Sequence, residues 1–115
     1  MSWRSERTGK LIQREIGGLL ERQVNDPRLG RLISVTEVTL SPDLKYAKVF
    51  VSTLGNDVNK QDMLAGFNKA SGFFRKELAA HLRLRYIPHL SFYYDDSIER
   101  GARVLKLIRE LPTSE

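Results

Sequence analysis

A short break, Ala70-Ser71-Gly72, joins two stretches of helical apolar spacing and limits the possible folds more than any other feature of this chain. The stretches run from about Lys60 to Lys69 and from about Phe73 to Leu84. Three cations surround the break: Lys69, Arg75 and Lys76. Two helices meeting at so tight a bend let backbone N–H groups and positive charge converge on phosphate, so the break predicts a contact with RNA. Taken alone, it also fits a helix that ends and restarts, with Gly72 in the left-handed conformation.

The remaining apolar spacing predicts the order helix, strand, strand, helix, bend, helix, strand, helix. The elements outside the pair are a helix from about Ser5 to Val24, strands from Leu32 to Leu40 and from Tyr46 to Thr53, a strand through Leu90, Phe92 and Tyr94, and a helix from about Ile98 to Leu111. Helices that cover one face of a small three-stranded sheet make an α+β domain.

Local patterns refine these elements. Ser41-Pro42-Asp43-Leu44 has the residues of a tight turn between two antiparallel strands. The apolar phase slips in the middle of the first strand, which predicts a bulge near Glu37. Gly17-Gly18 weakens the first helix and indicates either close packing or a locally soft helix. Asn25-Asp26-Pro27-Arg28 ends that helix, because the residue before proline avoids the helical region.

The last two helices are each predicted to bury one apolar stripe. In the helix that follows the break the inward residues are Phe74, Leu78 and Leu82. In the last helix they are Val104, Ile108 and Leu111. Lys76 and Arg83, seven residues apart, share the outer face of their helix. Asp96 and Glu99 resemble a capping pair at the start of the last helix.

Composition bounds the class of protein. The chain has 115 residues, 41% of them hydrophobic and 29% charged, which are values of a globular protein. We expect one domain over residues 1–115, with flexible ends at 1–4 and 112–115. No apolar run approaches the roughly 20 residues of a membrane-spanning helix, and the start of the chain lacks a signal-peptide pattern. The chain has no cysteine and therefore no disulfide or thiolate site. We also expect a cytoplasmic monomer without a cofactor or metal.

The positive charge lies in two places. Residues 1–31 hold seven Lys or Arg against four Asp or Glu, and residues 69–85 hold five against one. Such asymmetry concentrates the electrostatic field and favours a polyanionic partner.

The order of elements is that of type II K-homology (KH) RNA-binding domains, and the local sequences are similar to those of the ribosome-binding factor A family. The matching pieces are Asn25-Asp26-Pro27-Arg28, Ser41-Pro42-Asp43-Leu44, Ala47, Val49, Val51, Ala70-Ser71-Gly72, Arg75, Leu78, Leu84-Arg85, Pro88, Leu90, Phe92 and Asp96-Ser97-Ile98-Glu99-Arg100-Gly101. They extend over nearly the whole chain. His89 and Gly17-Gly18 depart from the family pattern, at places that affect local packing.

The resemblance implies a non-catalytic bacterial factor for late maturation of the small ribosomal subunit. It implies binding to 16S ribosomal RNA on free 30S subunits, help with processing of the 16S 5′ end, and importance for growth in the cold. In this family an Ala-x-Gly bend, here Ala70-Ser71-Gly72, replaces the Gly-x-x-Gly loop of other K-homology domains. With only one glycine, we expect weaker reading of bases and greater dependence on phosphate contacts.

The predicted RNA-binding residues form one main and two secondary groups. They are Lys69, Ala70, Ser71, Gly72, Arg75, Lys76, Arg83 and Arg85 around the bend, Lys10 and Arg14 on the first helix, and Arg28 and Arg31 after it. Lys76 and Arg83 also fit an ordinary solvated helix face, as do the cations of the first helix. Arg28 and Arg31 fit equally well as caps for the carbonyls that end the first helix.

Three further hypotheses come from other sites. Phe50, Tyr46 and Tyr93 could stack on bases, although packing of Phe50 under a helix is the favoured interpretation. A nuclease using Asp43, Asp95 and Asp96 is disfavoured, because adjacent residues of an extended segment point to opposite sides. A module that docks on ribosomal proteins or other assembly factors through the acidic residues near Asp95 is the alternative to RNA recognition.

Overall fold

The computed structural model describes residues 3–23, 32–54 and 59–111, and it confirms the predicted order of elements. The elements are α1 (Trp3–Gln23), β1 (Leu32–Leu40), β2 (Tyr46–Leu54), α2 (Lys60–Lys69), α3 (Ser71–His81), β3 (His89–Tyr94) and α4 (Ser97–Glu110). Within these ranges no helix is both long enough and apolar enough to span a membrane. The predicted stop at Asn25-Asp26-Pro27-Arg28 lies outside the described residues.

The sheet has the strand order β1-β2-β3. β1 and β2 pair antiparallel as a hairpin, whereas β2 and β3 pair parallel. A parallel pair needs a long crossover connection, and α2 with α3 supplies it. β3 is therefore an edge strand beside the helix pair.

The core lies between one face of the sheet and the helices α1, α2 and α3. Residues of β2 alternate between this face and the opposite one: Ala47, Val49 and Val51 are buried, while Tyr46 and Lys48 are exposed. From α1 come Ile12, Ile16, Leu19 and Leu20, and from the helix pair Phe67, Phe74 and Leu78. The rings of Phe67 and Phe74 meet that of Phe92 from β3, with centroids 5.2 and 5.3 Å away. The α+β prediction, with helices on one face, is thus confirmed for α1 to α3.

The hairpin turn between β1 and β2 is the one predicted. The Ser41 hydroxyl donates to Asp43 Oδ1 at 2.6 Å, and the same oxygen accepts from the Lys45 backbone N–H at 3.1 Å. The Ser41 hydroxyl bond, followed by the Lys45 N–H bond, lowers the pKa of Asp43. Leu44 completes the turn with φ of 62°, a left-handed conformation that is uncommon outside glycine.

The predicted bulge is also present, one residue before Glu37. Val35 pairs with Val51 and Glu37 pairs with Phe50, which leaves Thr36 as the extra residue of β1. Gln13 of α1 donates from Nε2 to the carbonyls of Val35 and Thr36 at 3.4 and 3.3 Å. The bulge therefore has a helix side chain to satisfy its carbonyls.

The structure removes one of the two reasons considered for the glycine pair of α1. A Cβ at Gly17 would meet nothing within 4 Å, and one at Gly18 would meet only the flexible end of Arg22, at 3.1 Å. Close packing is therefore not the reason for Gly17-Gly18. The close approach is at Gly9 instead, where a Cβ would lie 2.8 Å from the carbonyl oxygen of Val38 in β1.

The predicted end of α3 is wrong. The helix ends at His81, and Leu82 is extended, with φ −116° and ψ 140°. Leu82 still packs against the core, but from the connection to β3 rather than from the helix. Arg83 consequently lies beyond the helix and does not share an outer face with Lys76.

The predicted burial and capping of α4 are also wrong. Val104, Ile108 and Leu111 are 53%, 58% and 66% exposed, because α4 makes no substantial contact with any other described element. Asp95, not Asp96, caps the helix: its Oδ1 accepts from the Ser97 N–H at 2.8 Å, whereas Asp96 Oδ1 pairs with Arg100 Nε at 2.8 Å. The side chain of Glu99 lies outside the described part of the chain.

Candidate RNA-binding surface

A single residue, Ala70, separates α2 from α3. Its N–H bonds back to the carbonyls of Gly66 and Phe67 in α2, at 3.0 and 3.1 Å, and its carbonyl accepts from Phe74 of α3 at 3.2 Å. Ala70 thus closes one helix and opens the next, with φ −88° and ψ 7°. The bend is a fixed joint of two helices.

The start of α3 is open to a ligand. The first N–H groups of a helix have no acceptor within it, and here no side chain caps them. Gly72 is exposed and not left-handed, which rules out the alternative conformation considered from the sequence. A Cβ at Gly72 would meet nothing within 4 Å, so the fold itself does not require glycine there. Its effect is to leave the backbone accessible at the positive end of the helix dipole.

Two cations stand beside this helix start. Lys69 ends α2 and Lys76 lies in the second turn of α3, and both side chains are exposed. Neither forms an ion pair with any residue that the structure describes. The nearest acid in sequence, Glu77, faces His81 instead, with Oε2 3.7 Å from His81 Nδ1. We call Lys69, Ala70, Ser71, Gly72 and Lys76 the kink site.

Asn68 fixes the kink site against the sheet. Its Oδ1 accepts from the N–H of Phe92 in β3 at 2.8 Å, and its Nδ2 donates to the Phe92 carbonyl at 3.3 Å. Nδ2 also lies 3.0 Å from the carbonyl of Leu64, one turn earlier in α2. One amide side chain therefore gives both backbone groups of an edge-strand residue a partner. Sequence analysis missed Asn68, since an Asn within a helix pattern carries no sign of such a contact.

The side chain of Arg75 faces the connection between α3 and β3. Its Nη2 donates to the carbonyl of Ile87 at 3.2 Å, and its buried Nε has no partner among the described residues. Arg83 and Arg85 lie exposed on this connection, and the Arg85 guanidinium is 5.6 Å from the centre of the Tyr86 ring. Arg75 therefore positions the segment that carries the other two arginines.

The remaining predicted cations are on α1 or outside the described residues. Lys10 and Arg14 are exposed one turn apart and line a shallow groove with Gln13 and Gly17. No described contact joins them to the kink site. Arg28 and Arg31 lie outside the part of the chain that the structure describes.

The sheet face opposite the core carries the aromatic residues considered from the sequence. Phe50 is not packed under a helix, because its neighbours Val49 and Val51 point to the helices and Phe50 points away. Its ring lies 5.7 Å from that of Tyr93. The favoured interpretation of Phe50 was wrong.

The three carboxylates of the nuclease hypothesis each have a separate partner. Asp43 belongs to the hairpin turn, Asp95 Oδ2 accepts from the Thr36 hydroxyl at 2.5 Å, and Asp96 pairs with Arg100. Among the described residues, no group of three or more His, Cys, Asp or Glu is arranged to hold a metal ion. These residues give no support to metal-dependent cleavage.

Comparisons with known proteins agree with this architecture. Residues 4–108 match the family model described as ribosome-binding factor A. The chain is 47% identical to ribosome-binding factor A of Acetivibrio thermocellus, over 93% of this chain and 87% of that protein. It is 42% identical to the Dictyoglomus thermophilum protein of the same name, over 96% of this chain and 92% of that protein.

Structures of related proteins show the same fold. A Thermotoga maritima protein solved by solution NMR superposes with a TM-score of 0.67 and 31% identity, covering 86% of this chain and 93% of that one. A homology model of the Thermus thermophilus ribosome binding factor A, fitted into the cryo-EM map of a complex between that factor and 30S, superposes with a TM-score of 0.62 and 25% identity. That match covers 76% of this chain and 91% of the other. With a family model spanning most of its length and close relatives of one description, this chain belongs to the ribosome-binding factor A family.

Proposed function

We propose that this protein is a non-catalytic assembly factor that binds 16S ribosomal RNA on free precursor 30S subunits. The observation that carries the proposal is the kink site, where an uncapped helix start and an accessible Gly72 backbone lie beside two lysines that form no ion pair with a described residue. Each of these favours an anion, and a phosphodiester backbone presents several in a row. The 30S complex of the Thermus thermophilus relative supports the same partner.

The kink site binds phosphate in two ways. The N–H groups at the start of α3 donate to the phosphate oxygens, as helix N-termini do in many phosphate sites. Lys69 and Lys76 add charge from either side, and their flexible stems adapt to a folded RNA surface. Neither contact reads a base, so the kink site recognises the shape and spacing of phosphates.

The segment held by Arg75 extends this surface. Arg83 and Arg85 contribute two further cations, and the hydrogen bond from Arg75 to the Ile87 carbonyl fixes the backbone that carries them. Arg75 is then a positioning residue, whereas Arg83 and Arg85 contact phosphate. Lys10 and Arg14 form a secondary patch on α1.

The protein acts by differential affinity. It holds an immature arrangement of small-subunit RNA and is released when the mature arrangement no longer fits. Through this it assists processing of the 16S 5′ end, most importantly in the cold, where RNA rearrangements are slow. We propose that it does so in the cytoplasm, as a monomer with one domain and without a cofactor.

The salt dependence of binding to protein-free 16S ribosomal RNA tests the kink site. If about five phosphates are engaged, log affinity should fall with log salt with a slope near −4. The double variant Lys69→Gln/Lys76→Gln should reduce that slope by about two units. Lys106→Gln, an exposed lysine on α4, is the matched control and should leave it unchanged. Equal slopes in all three proteins would refute the assignment.

A second candidate function is docking on a ribosomal protein. The exposed apolar residues of α4 favour it, since Leu105, Leu107 and Ile108 are 56%, 62% and 58% exposed. Leu105→Ser/Ile108→Ser should then weaken binding to precursor 30S particles but not to protein-free RNA. Loss on both ligands, or on neither, would argue against this role.

A further inference from the structure

Two pairs of rings stand on the sheet face that the helices leave open. Tyr46 and His89 lie with ring centroids 5.6 Å apart, and Phe50 and Tyr93 lie 5.7 Å apart. Both pairs bridge β2 and β3 in register, because Tyr46 is opposite His89 and Phe50 is opposite Tyr93. Tyr46 is 60% and Tyr93 43% exposed. We call these four residues the ring face.

None of the described helices covers the ring face. α1, α2 and α3 pack on the opposite side of the sheet, and α4 makes no substantial contact with any described element. Large aromatic side chains on a strand usually pack against a second layer, yet here Tyr46 and Tyr93 are exposed. The exposed rings on this face are therefore available to a ligand.

The charge around the ring face is mostly positive. Lys48 lies on β2 between the two pairs, with Nζ 5.9 Å from the centre of the Tyr93 ring. At the end of the face, Lys45 and Arg85 line a cleft that also contains Tyr46 and His89. The acids beside the ring face are Glu37, opposite Phe50, and Asp95, whose Oδ2 accepts from the Thr36 hydroxyl next to Phe50. Rings with interleaved cations are complementary to an anionic, aromatic ligand.

We propose that the ring face stacks the bases of single-stranded RNA, as a site separate from the kink site. Nucleotide bases offer a flat aromatic surface to each ring, and Lys45 and Lys48 meet the phosphates between them. Tyr46 and Phe50 are four residues apart on one strand, about 13 Å. This distance is far more than the roughly 3.4 Å between neighbouring bases in a stack. The RNA must therefore lie along β2 in an extended conformation, with its bases separated. Duplex RNA, whose bases are buried, does not fit.

This inference rests on the proposed RNA-binding function but can fail without it. The test measures binding of the full chain to a short single-stranded RNA and to an abasic RNA of equal length. The variants are Tyr46→Leu and Tyr93→Leu, which keep apolar bulk but remove the ring, and Tyr46→Phe and Tyr93→Phe, which keep the ring. Both positions are well exposed, and thermal unfolding of each variant verifies that the fold is retained.

We expect each leucine variant to bind the single-stranded RNA about fivefold or more weakly, with the salt slope unchanged, because stacking adds no ion pair. The phenylalanine variants should bind within about twofold of the parent chain. Abasic RNA should bind the parent chain weakly and be insensitive to the leucine substitutions.

Other results overturn the inference. Unchanged affinity in the leucine variants, or an equal loss on abasic RNA, excludes base stacking. If binding to precursor 30S particles falls while binding to single-stranded RNA does not, the ring face docks a protein instead. In each case the proposed function stands as long as Lys69→Gln/Lys76→Gln still weakens RNA binding, and it fails if that variant has no effect.

Discussion

Replacing glycine by alanine at two positions of α1 should change stability in opposite directions. Gly9 and Gly17 lie eight residues apart in one helix. A Cβ at Gly17 meets nothing within 4 Å, whereas one at Gly9 lies 2.8 Å from the carbonyl oxygen of Val38 and 3.8 Å from its carbon. The obstructing atoms are strand backbone, which cannot rotate away as a side chain can.

Both substitutions gain the helix propensity of alanine, but only Gly9→Ala adds a steric overlap. Alanine is favoured over glycine inside a helix by about 1 kcal/mol, so Gly17→Ala should raise the free energy of unfolding by up to about that amount. For a chain of this size it corresponds to a rise in Tm of about 4 °C. Gly9→Ala gains the same propensity but adds a steric overlap, and overpacking costs about 1–3 kcal/mol. The difference between the variants isolates the overlap.

Urea unfolding followed by far-ultraviolet circular dichroism measures both free energies. The difference between Gly17→Ala and Gly9→Ala should be about 1–3 kcal/mol, with similar m-values. A Gly9→Ala protein as stable as Gly17→Ala would refute the close contact between α1 and β1. A change in m-value for Gly9→Ala alone would mean that the substitution alters the folded or denatured state more broadly than a local overlap does.

Three further changes test single contacts. Asn68→Ala leaves the N–H and carbonyl of Phe92 without their partners and should lower the unfolding free energy by about 1–3 kcal/mol, with faster amide exchange at Phe92. Asn68→Asp keeps the acceptor for the Phe92 N–H but turns a carboxylate oxygen toward the carbonyls of Leu64 and Phe92, so it should lose at least as much. Arg75→Gln should weaken RNA binding with the salt slope unchanged, whereas a slope smaller by about one unit would make Arg75 a direct phosphate contact. The Thr36 hydroxyl and then the Ser97 N–H lower the pKa of Asp95 in the folded state, so its contribution to stability is present above the usual value of 3.8 and is lost as the pH falls below it. Acid titration of unfolding should show this loss, and Asp95→Asn should remove it.

Local chemistry explains what the sequence could predict. The hairpin turn follows from Ser41 and Asp43, whose side chains bond within a few residues of themselves. The bulge follows from a slip in apolar phase, which any strand with one buried face must correct. The bend follows from the short interruption before Gly72. Each of these depends on neighbours in sequence, so each is visible without the fold.

The errors depend on contacts between distant residues. Leu82 continues the helical spacing of Phe74 and Leu78, but it reaches the core from an extended segment. The stripe on α4 is apolar as predicted, yet apolar spacing does not show whether the surface that would cover it belongs to the same chain. Phe50 already shared the alternation phase of Tyr46 and Lys48, and only its hydrophobicity argued for burial.

The candidate site was predictable in part for the same reason. Glycine and lysine near a helix break are local signals, and the structure places Lys69, Gly72 and Lys76 in one region around the bend. The partner of Arg75 is twelve residues away, at Ile87, and that of Asn68 is 24 away, at Phe92. No pattern within α2 or α3 reports such distant carbonyls.

Thr36, the extra residue of the bulge, changes which residues of β1 face the helices. Before it, odd-numbered residues such as Ile33 and Val35 face the helices, and after it, even-numbered Val38 and Leu40 do. Deleting this one residue would leave an unbroken ladder in which Val35, Val38 and Leu40 alternate on the helix side, so the buried face of the strand would survive. The deletion would instead remove the bulge itself, with the hydroxyl that donates to Asp95 and one of the two carbonyls that Gln13 contacts.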